Sequence, residues 1–247
     1  MIFVPYFIGE RARDGARLAD GELLEPTLPD ASPLERMGVL YAGLADRVAA
    51  GAEARVQAGD CVAALGVVAG LQRRGIDPHV VWLDAHGDFN TWETSPSGFL
   101  GGMPLAMMVG LGEPAVADAV GLRRLTPERV WLVGARDLDL GERENVAASG
   151  VRQVGVDELA ELEPPAGPLY VHVDVDVVDP GDMPALDYPA PGGPTAAAVR
   201  AALDRLFATG RVAGMAFVGW NPDLPEAGRA RQVAGDLVGD LLASSTR

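Results

Sequence analysis

The chain has 247 residues, of which 20 are basic and 35 are acidic, so its formal net charge is −15. Hydrophobic residues make up 48% of the sequence and charged residues 22%, which is typical of a globular protein with a sizeable core. The negative charge argues against a nucleic-acid-binding protein and against attachment to anionic membranes, because both need a cationic surface. All 20 basic residues are arginines, which excludes chemistry that depends on a Schiff-base lysine or a phosphate-loop lysine.

The number of cysteines and the hydropathy of the sequence limit the structural classes and the cellular locations that this protein can have. Cys61 is the only cysteine, so neither an intrachain disulfide nor a cysteine-rich zinc module can form. The sequence contains no run of about 18 apolar residues and no signal-peptide pattern. We therefore expect a cytoplasmic protein that acts on a small molecule without contacting membranes or nucleic acid.

Short apolar runs alternate with longer segments of helical periodicity. From the N-terminus onwards the sequence predicts a strand over residues 2–8, a loop over 9–30, a helix over 33–50, a short strand over 54–58, a helix over 62–74, a strand over 80–83, a loop over 87–102, a helix over 104–110, strands over 130–133 and 169–178, a helix over 196–207, a strand over 212–218 and a helix over 227–242. This alternation predicts an α/β fold with a mainly parallel sheet and helices on both faces. We expect one domain covering residues 1–247, with ligands bound beyond the carboxyl ends of the strands.

The first polar cluster lies at such a strand end. Asp84, His86 and Asp88 directly follow the apolar run over residues 80–83. If the chain stays extended there, alternate residues share one face and the three side chains converge as metal ligands. The alternative is that Asp84 caps a turn and His86 is an ordinary loop histidine.

The second cluster is Asp174 and Asp176, two carboxylates inside an otherwise apolar run. Burying two like charges together needs a compensating cation, and a bound metal is the natural one, although an edge strand facing solvent would also fit the alternation. Asp179, before Pro180, is interpreted as a turn residue. Carboxylate and imidazole ligands suit Mn²⁺ and related ions, and bridging carboxylates permit a two-metal site that activates water for hydrolysis.

The segments DAHGD at 84–88 and DVDVVDP at 174–180 resemble the arginase/agmatinase/formimidoylglutamase (ureohydrolase) family. Further segments with family similarity span most of the chain, namely 58–66, 90–98, 134–142, 191–195 and 221–222. The resemblance implies a three-layer α/β/α sandwich, a binuclear Mn²⁺ site, hydrolysis of guanidino or amidino C–N bonds, and a homo-oligomer, either a trimer or a hexamer.

The resemblance also implies roles for individual residues. One metal ion would be bound by Cys61, Asp84, Asp88 and Asp174. The other would be bound by Asp84, His86, Asp174 and Asp176. The attacking hydroxide would be held by the metal and hydrogen-bonded by the catalytic residue Asp88.

Four further residues correspond to the family's substrate-binding segments. The resemblance implies that Asn90 and Ser97 face a substrate carboxylate or its equivalent. Asp139 and Glu142 would face a substrate ammonium group. The alternative for Asp139 and Glu142 is that they are solvated loop acids.

Three positions depart from the family pattern. Cys61 replaces a metal-ligating histidine; it is either a soft thiolate ligand, which would favour Zn²⁺ or Fe²⁺ over Mn²⁺, or a small buried apolar residue. Gly101 stands in the place of a proton-shuttling histidine. Gly219 stands in the place of the glutamate that binds a guanidinium group.

The sequence therefore predicts a metal-dependent hydrolase of C–N bonds in a small amidino or guanidino compound, a linear amidine other than arginine. The alternative is a catalytically impaired homologue that holds one or no metal ion and serves as a ligand-binding or structural protein. Amide deacylation on the related deacetylase architecture is a third possibility, but it depends on a pair of active-site histidines and the chain has only His79, His86 and His172.

Overall fold

The computed structural model describes residues 1–51 and 54–243. Within these ranges the chain forms strands β1 (Ile2–Val4), β2 (Tyr6–Phe7), β3 (Glu10–Arg11), β4 (Glu22–Leu23), β5 (Arg55–Ala58), β6 (His79–Leu83), β7 (Val130–Val133), β8 (Arg152–Val154), β9 (Leu169–Asp174) and β10 (Val212–Val218). The helices are α1 (Pro33–Ala49), α2 (Ala63–Arg73), α3 (Pro104–Val109), α4 (Ala115–Ala119), α5 (Leu140–Ser149), α6 (Val156–Glu161), α7 (Ala196–Ala208) and α8 (Ala227–Ala243). None of the helices in these ranges is long and apolar enough to cross a membrane.

Eight of the strands form a central parallel sheet. Their order is β4-β1-β5-β10-β9-β6-β7-β8, and every neighbouring pair in this sheet is parallel. The predicted parallel sheet is confirmed. Because all eight strands run in one direction, their carboxyl ends meet at one edge of the sheet.

Helices cover both faces of the sheet. Helices α1 to α4 contribute to one hydrophobic cluster, which includes Leu40, Val67 and Met107. Helices α6 to α8 contribute to the other, which includes Leu203 and Leu237. The predicted three-layer α/β/α architecture is therefore confirmed.

The packing of α1 against α2 fixes the start of α2, where Cys61 lies. A capping box between Ser32 and Glu35 begins α1 and satisfies free backbone donors of its first turn. Gly66 in α2 allows close approach of the two helices, because a Cβ at this position would lie 2.6 Å from the carbonyl oxygen of Tyr41.

Two predicted strands end earlier than expected. The single strand predicted over residues 2–8 is wrong, because the chain turns at Pro5 and β2 pairs instead with β3 in a separate antiparallel hairpin. The strand predicted over residues 169–178 stops at Asp174 and continues as a 3₁₀ turn over Val175–Val177. The turn forms because the Asp174 carboxylate accepts a hydrogen bond from the backbone N–H of Asp176, which extended chain cannot provide.

Candidate metal centre and substrate cavity

A cavity of about 280 Å³ opens at the carboxyl ends of β5, β6, β9 and β10. It is lined by all ten side chains that the sequence singled out, namely Cys61, Asp84, His86, Asp88, Asn90, Ser97, Asp139, Glu142, Asp174 and Asp176. The topology explains this convergence, because segments distant in sequence all leave the sheet at the same edge.

The segment after β6 holds Asp84 in a fixed orientation. The Asp84 carboxylate accepts hydrogen bonds from Trp82 Nε1 at 3.0 Å and from the backbone N–H of His86 at 2.7 Å. Asp88 has a φ of 49°, so the chain has left the extended conformation before this residue. The expectation that alternation along a strand brings Asp88 to the site is wrong, since a left-handed backbone turn does so instead.

The carboxylate of Asp176 joins the segments that follow β6 and β9. It accepts a hydrogen bond from the backbone N–H of Ala85 at 3.0 Å. Its other oxygen lies 3.0 Å from His86 Nδ1, which is also 3.5 Å from Asp84 Oδ1. His86 therefore lies between two carboxylates from different strands.

The segment after β5 places Cys61 against the same carboxylates. The Asp60 carboxylate accepts hydrogen bonds from Tyr41 Oη at 2.7 Å and from the backbone N–H groups of Ile8 and Val62. The next residue, Cys61, is buried and its Sγ donates a hydrogen bond to Asp174 Oδ2 at 3.2 Å.

Burial dominates the electrostatics of these acids. Desolvation raises the pKa of Asp174 to about 7 and that of Asp176 to about 6. The pKa of Asp88 is raised well above its ordinary value by desolvation and then by the charges of Asp84 and Asp174. Burial lowers the pKa of His86, but hydrogen bonds to Asp176 and Asp84 outweigh it and raise this pKa to about 12. The cluster therefore favours a cation at its centre.

The substrate-side residues form a second hydrogen-bonded group. Asn90 Nδ2 donates to Asp139 Oδ2 at 2.9 Å. Glu142 is buried and accepts from the backbone N–H groups of Phe89 at 2.9 Å and Asp139 at 3.1 Å. Desolvation raises its pKa to about 7. Asp139 and Glu142 form the capping box of α5, so they also fix this helix against the loop after β6.

Three aromatic side chains that the sequence did not single out form the mouth of the cavity. Phe99 packs against Tyr188 with ring centroids 5.1 Å apart and against Phe7 at 6.0 Å. Phe7 lies in β2, whereas Phe99 and Tyr188 lie in two loops distant from it in sequence, and no spacing in the sequence links the three. The mouth of the cavity is therefore apolar and its floor is acidic.

Besides the three aromatic residues, the sequence also did not assign Arg136 to the site. Its guanidinium group donates to the backbone carbonyls of Asp176 at 3.0 Å, Val177 at 3.0 Å and Ala190 at 2.6 Å. It therefore holds the 3₁₀ turn after β9 in place. The signals in the sequence were its location just after the strand over residues 130–133 and inside the family-like segment 134–142.

A family model described as "Arginase family" matches residues 11–243. The chain belongs to the arginase family. It is 34% identical to an arginase of Bacillus subtilis (strain 168) over 200 residues, which cover 76% of this chain and 68% of that one. It is 39% identical over 150 residues to an N(omega)-hydroxy-L-arginine amidinohydrolase of Streptomyces lavendulae, covering 59% of this chain and 53% of that one. The crystal structure of an arginase from Bacillus subtilis superimposes with a TM-score of 0.81 and 30% identity, covering 99% of this chain and 98% of that chain.

The donor groups of this arginase-family chain fit divalent metal ions. Ligand atoms of Asp84, His86 and Asp176 all lie within 4.8 Å of one another. Asp88 Oδ2 is buried and has no hydrogen-bond partner among the described residues, as expected for an oxygen left free for an ion or a substrate. Oxygen and imidazole donors in such a group suit Mn²⁺ and similar ions.

Two departures from the arginase-family pattern have local structural reasons. A Cβ at Gly101 would overlap the ring of Phe99, so the aromatic mouth occupies the space of the missing histidine. Gly219 has a φ of 103°, and a Cβ there would overlap the carboxylate of Asp174. With this backbone no side chain fits at position 219.

Proposed function

We propose that the chain is a metal-dependent hydrolase that cleaves a C–N bond in a small amidino or guanidino compound other than arginine. The observation that supports this proposal most strongly is the cavity, in which nine carboxyl side chains and His86 converge. The family supports hydrolysis, since the similar proteins include arginases and an N(omega)-hydroxy-L-arginine amidinohydrolase.

We propose that His86 and Asp176, with Asp84 and Asp174, hold Mn²⁺. Cys61 and Asp88, with the same two bridging acids, would hold a second ion, which is Mn²⁺, Zn²⁺ or Fe²⁺ depending on whether the thiolate binds. When bound, such ions act as Lewis acids and lower the pKa of water enough to make it a nucleophile at neutral pH.

The protein's own groups then move the protons. Asp88 Oδ2 has no other hydrogen-bond partner among the described residues and therefore can accept a proton from the attacking water. As the C–N bond breaks, the same carboxyl group passes this proton to the leaving amine nitrogen.

The lining of the cavity supports a cationic substrate with an apolar remainder. No arginine is among the described residues that line it, so a substrate carboxylate would meet only the neutral groups of Asn90 and Ser97 on the substrate side. Asp139 and Glu142 favour a positive group, and Phe7, Phe99 and Tyr188 favour an apolar one. Gly219 provides no carboxylate for the guanidinium of arginine.

The experiment that tests this proposal is a screen for ammonia and urea release. Protein loaded in turn with Mn²⁺, Zn²⁺ and Co²⁺ is incubated with arginine, alkyl guanidines, arylalkyl guanidines and linear amidines. We expect turnover of an apolar cationic compound at a kcat/KM at least about tenfold above that for arginine, and its loss in Asp174→Asn. Arginine as the best substrate would contradict the assigned substrate class, and no turnover of any compound would contradict the enzyme itself.

A second candidate function is a ligand-binding homologue without turnover. The observation that favours it is the Phe99 ring over Gly101, which leaves no shuttle for protons to solvent at that position. Calorimetric binding of a cationic compound without release of ammonia or urea would support this candidate. The expected homo-oligomer, trimer or hexamer, and the cytoplasmic location stay predictions, and sedimentation of the purified protein checks the first.

A further inference from the structure

Cys61 lies beside a histidine that the metal assignments above leave out. One ring nitrogen of His172, a carboxylate oxygen of Asp84 and Sγ of Cys61 all lie within 4.8 Å of one another. Metal–ligand distances of about 2.0 Å for nitrogen and oxygen and about 2.3 Å for sulfur place the tetrahedral ligands of one ion roughly 3.3–3.5 Å apart. The three atoms, all within 4.8 Å of one another, therefore need to approach by no more than about 1.5 Å to bind a single ion.

The orientation of His172 leaves one nitrogen available. The side chain is fully buried, stacked on Trp82 with ring centroids 3.7 Å apart. Its Nδ1 lies 3.2 Å from Tyr170 Oη, whereas Nε2 is buried without a hydrogen-bond partner among the described residues. When Nδ1–H donates to the tyrosine oxygen, the lone pair is on Nε2, the arrangement that metal-binding histidines use.

A purely structural histidine does not explain this arrangement. A buried polar atom without a partner costs free energy, and a ring needed only for packing on Trp82 would be better replaced by a phenylalanine. Cys61 follows β5 and His172 lies in β9, two strands that β10 separates in the sheet. Ala216 of β10 is the small in-register neighbour of His172.

We propose that His172 Nε2 and Cys61 Sγ together bind the metal ion at the Cys61 position, with Asp84 as an oxygen ligand. The imidazole that the family provides at position 61 is here supplied by position 172. A site with one sulfur, one nitrogen and carboxylate oxygen prefers Zn²⁺, Fe²⁺ or Co²⁺ to Mn²⁺. The inference rests on the proposed metal-dependent function and assigns different metals to its two positions.

Cobalt binding to the full chain tests this proposal directly. Chelator-treated protein is titrated with Co²⁺ while the near-ultraviolet thiolate-to-cobalt charge-transfer band is recorded. We expect about two Co²⁺ per chain, with the band saturating after about one equivalent. Cys61→Ser should remove the band, and His172→Gln should weaken cobalt binding at this position at least about tenfold. The matched control is His79→Gln, a histidine at the opposite, amino end of β6, which should leave both unchanged.

X-ray absorption of the zinc-loaded, unmutated protein tests the same ligands without a variant, so its result does not depend on whether a variant folds. We expect a sulfur ligand at about 2.3 Å together with imidazole scattering. Two Co²⁺ per chain without the charge-transfer band, and unchanged in His172→Gln, would overturn this proposal and leave the metallohydrolase intact. Failure to bind any Co²⁺ would overturn both.

Discussion

At the scale of single residues, the site depends on two positions where a side chain is absent. Gly219 has a positive φ of 103° and lies against Asp174, while Gly101 lies under the ring of Phe99. The sequence identified both as departures from a family pattern. It could not show that the neighbouring side chains already fill the space, because that depends on contacts between distant loops.

A substitution at Gly219 tests this packing. We expect Gly219→Ala to lower the free energy of unfolding by roughly 1–3 kcal/mol, because an alanine is strained at this φ and its Cβ overlaps Asp174. Gly235→Ala in α8 is the control, since nothing lies within 4 Å of a Cβ there and alanine favours a helix by about 0.5–1 kcal/mol. Urea denaturation measures both, and equal effects of the two substitutions would contradict the account.

At the scale of elements, the ends of the strands determine the site more than the strands themselves. The apolar runs predicted β6, β7 and β10 because buried parallel strands are apolar on both faces. Helix α5 was not predicted, because only Glu142 and Val146 of it are buried and it shows no apolar stripe. The end of β9 was placed four residues too late, because the turn is set by a side-chain hydrogen bond of Asp174 that no hydrophobic pattern reveals.

The 3₁₀ turn after β9 should depend on Arg136. We expect Arg136→Lys to weaken metal binding about 10–100-fold, because an ammonium group cannot replace the planar guanidinium that reaches the carbonyls of Asp176, Val177 and Ala190. Arg143→Lys on the exposed side of α5 is the control. Isothermal titration with Mn²⁺ measures the affinity. An unchanged affinity for Mn²⁺ in Arg136→Lys would show that the 3₁₀ turn after β9 keeps its conformation without the guanidinium group.

At the scale of the whole molecule, the buried acids link stability to pH and to metal. Desolvation raises the pKa of Asp174 and of Glu142 to about 7 and that of Asp176 to about 6. Between about pH 4 and pH 7 these three acids hold more protons in the folded than in the unfolded chain, which outweighs the single opposite contribution of His172, whose pKa burial lowers to about 3. The free energy of unfolding falls as pH rises through this window, when metal is absent. The pKa of His86 is raised to about 12, so the folded chain keeps this proton above pH 7 where the unfolded chain loses it. The free energy of unfolding therefore continues to fall above pH 7.

Denaturation with and without metal checks this prediction. We expect chelator-treated protein to be less stable at about pH 8 than at about pH 5. Added Mn²⁺ should stabilise it more at the higher pH, because the ion and the protons compete for the same carboxylates. If the metal-free protein became more stable from about pH 5 to about pH 8, the prediction would be contradicted. The buried acids would then be stabilised in their charged forms by other groups of the folded chain.

The sequence predicted the layers of the fold and the edge of the sheet where the site lies. The apolar strands and the family motifs both identify that edge. It did not predict the aromatic mouth, the role of Arg136 or the free nitrogen of His172, which arise from contacts between segments far apart in the chain. The single domain over residues 1–247 stays a prediction.

We propose above all that this chain binds metal ions through the carboxylates at one edge of its sheet. The most direct measurement is elemental analysis of metal per chain after dialysis against equimolar Mn²⁺ and Zn²⁺ and removal of free ions. We expect about two ions per chain, falling to below about one in Asp174→Asn, because that residue would bridge both positions. Less than one ion per chain in the unmutated protein, or an unchanged content in Asp174→Asn, would contradict it.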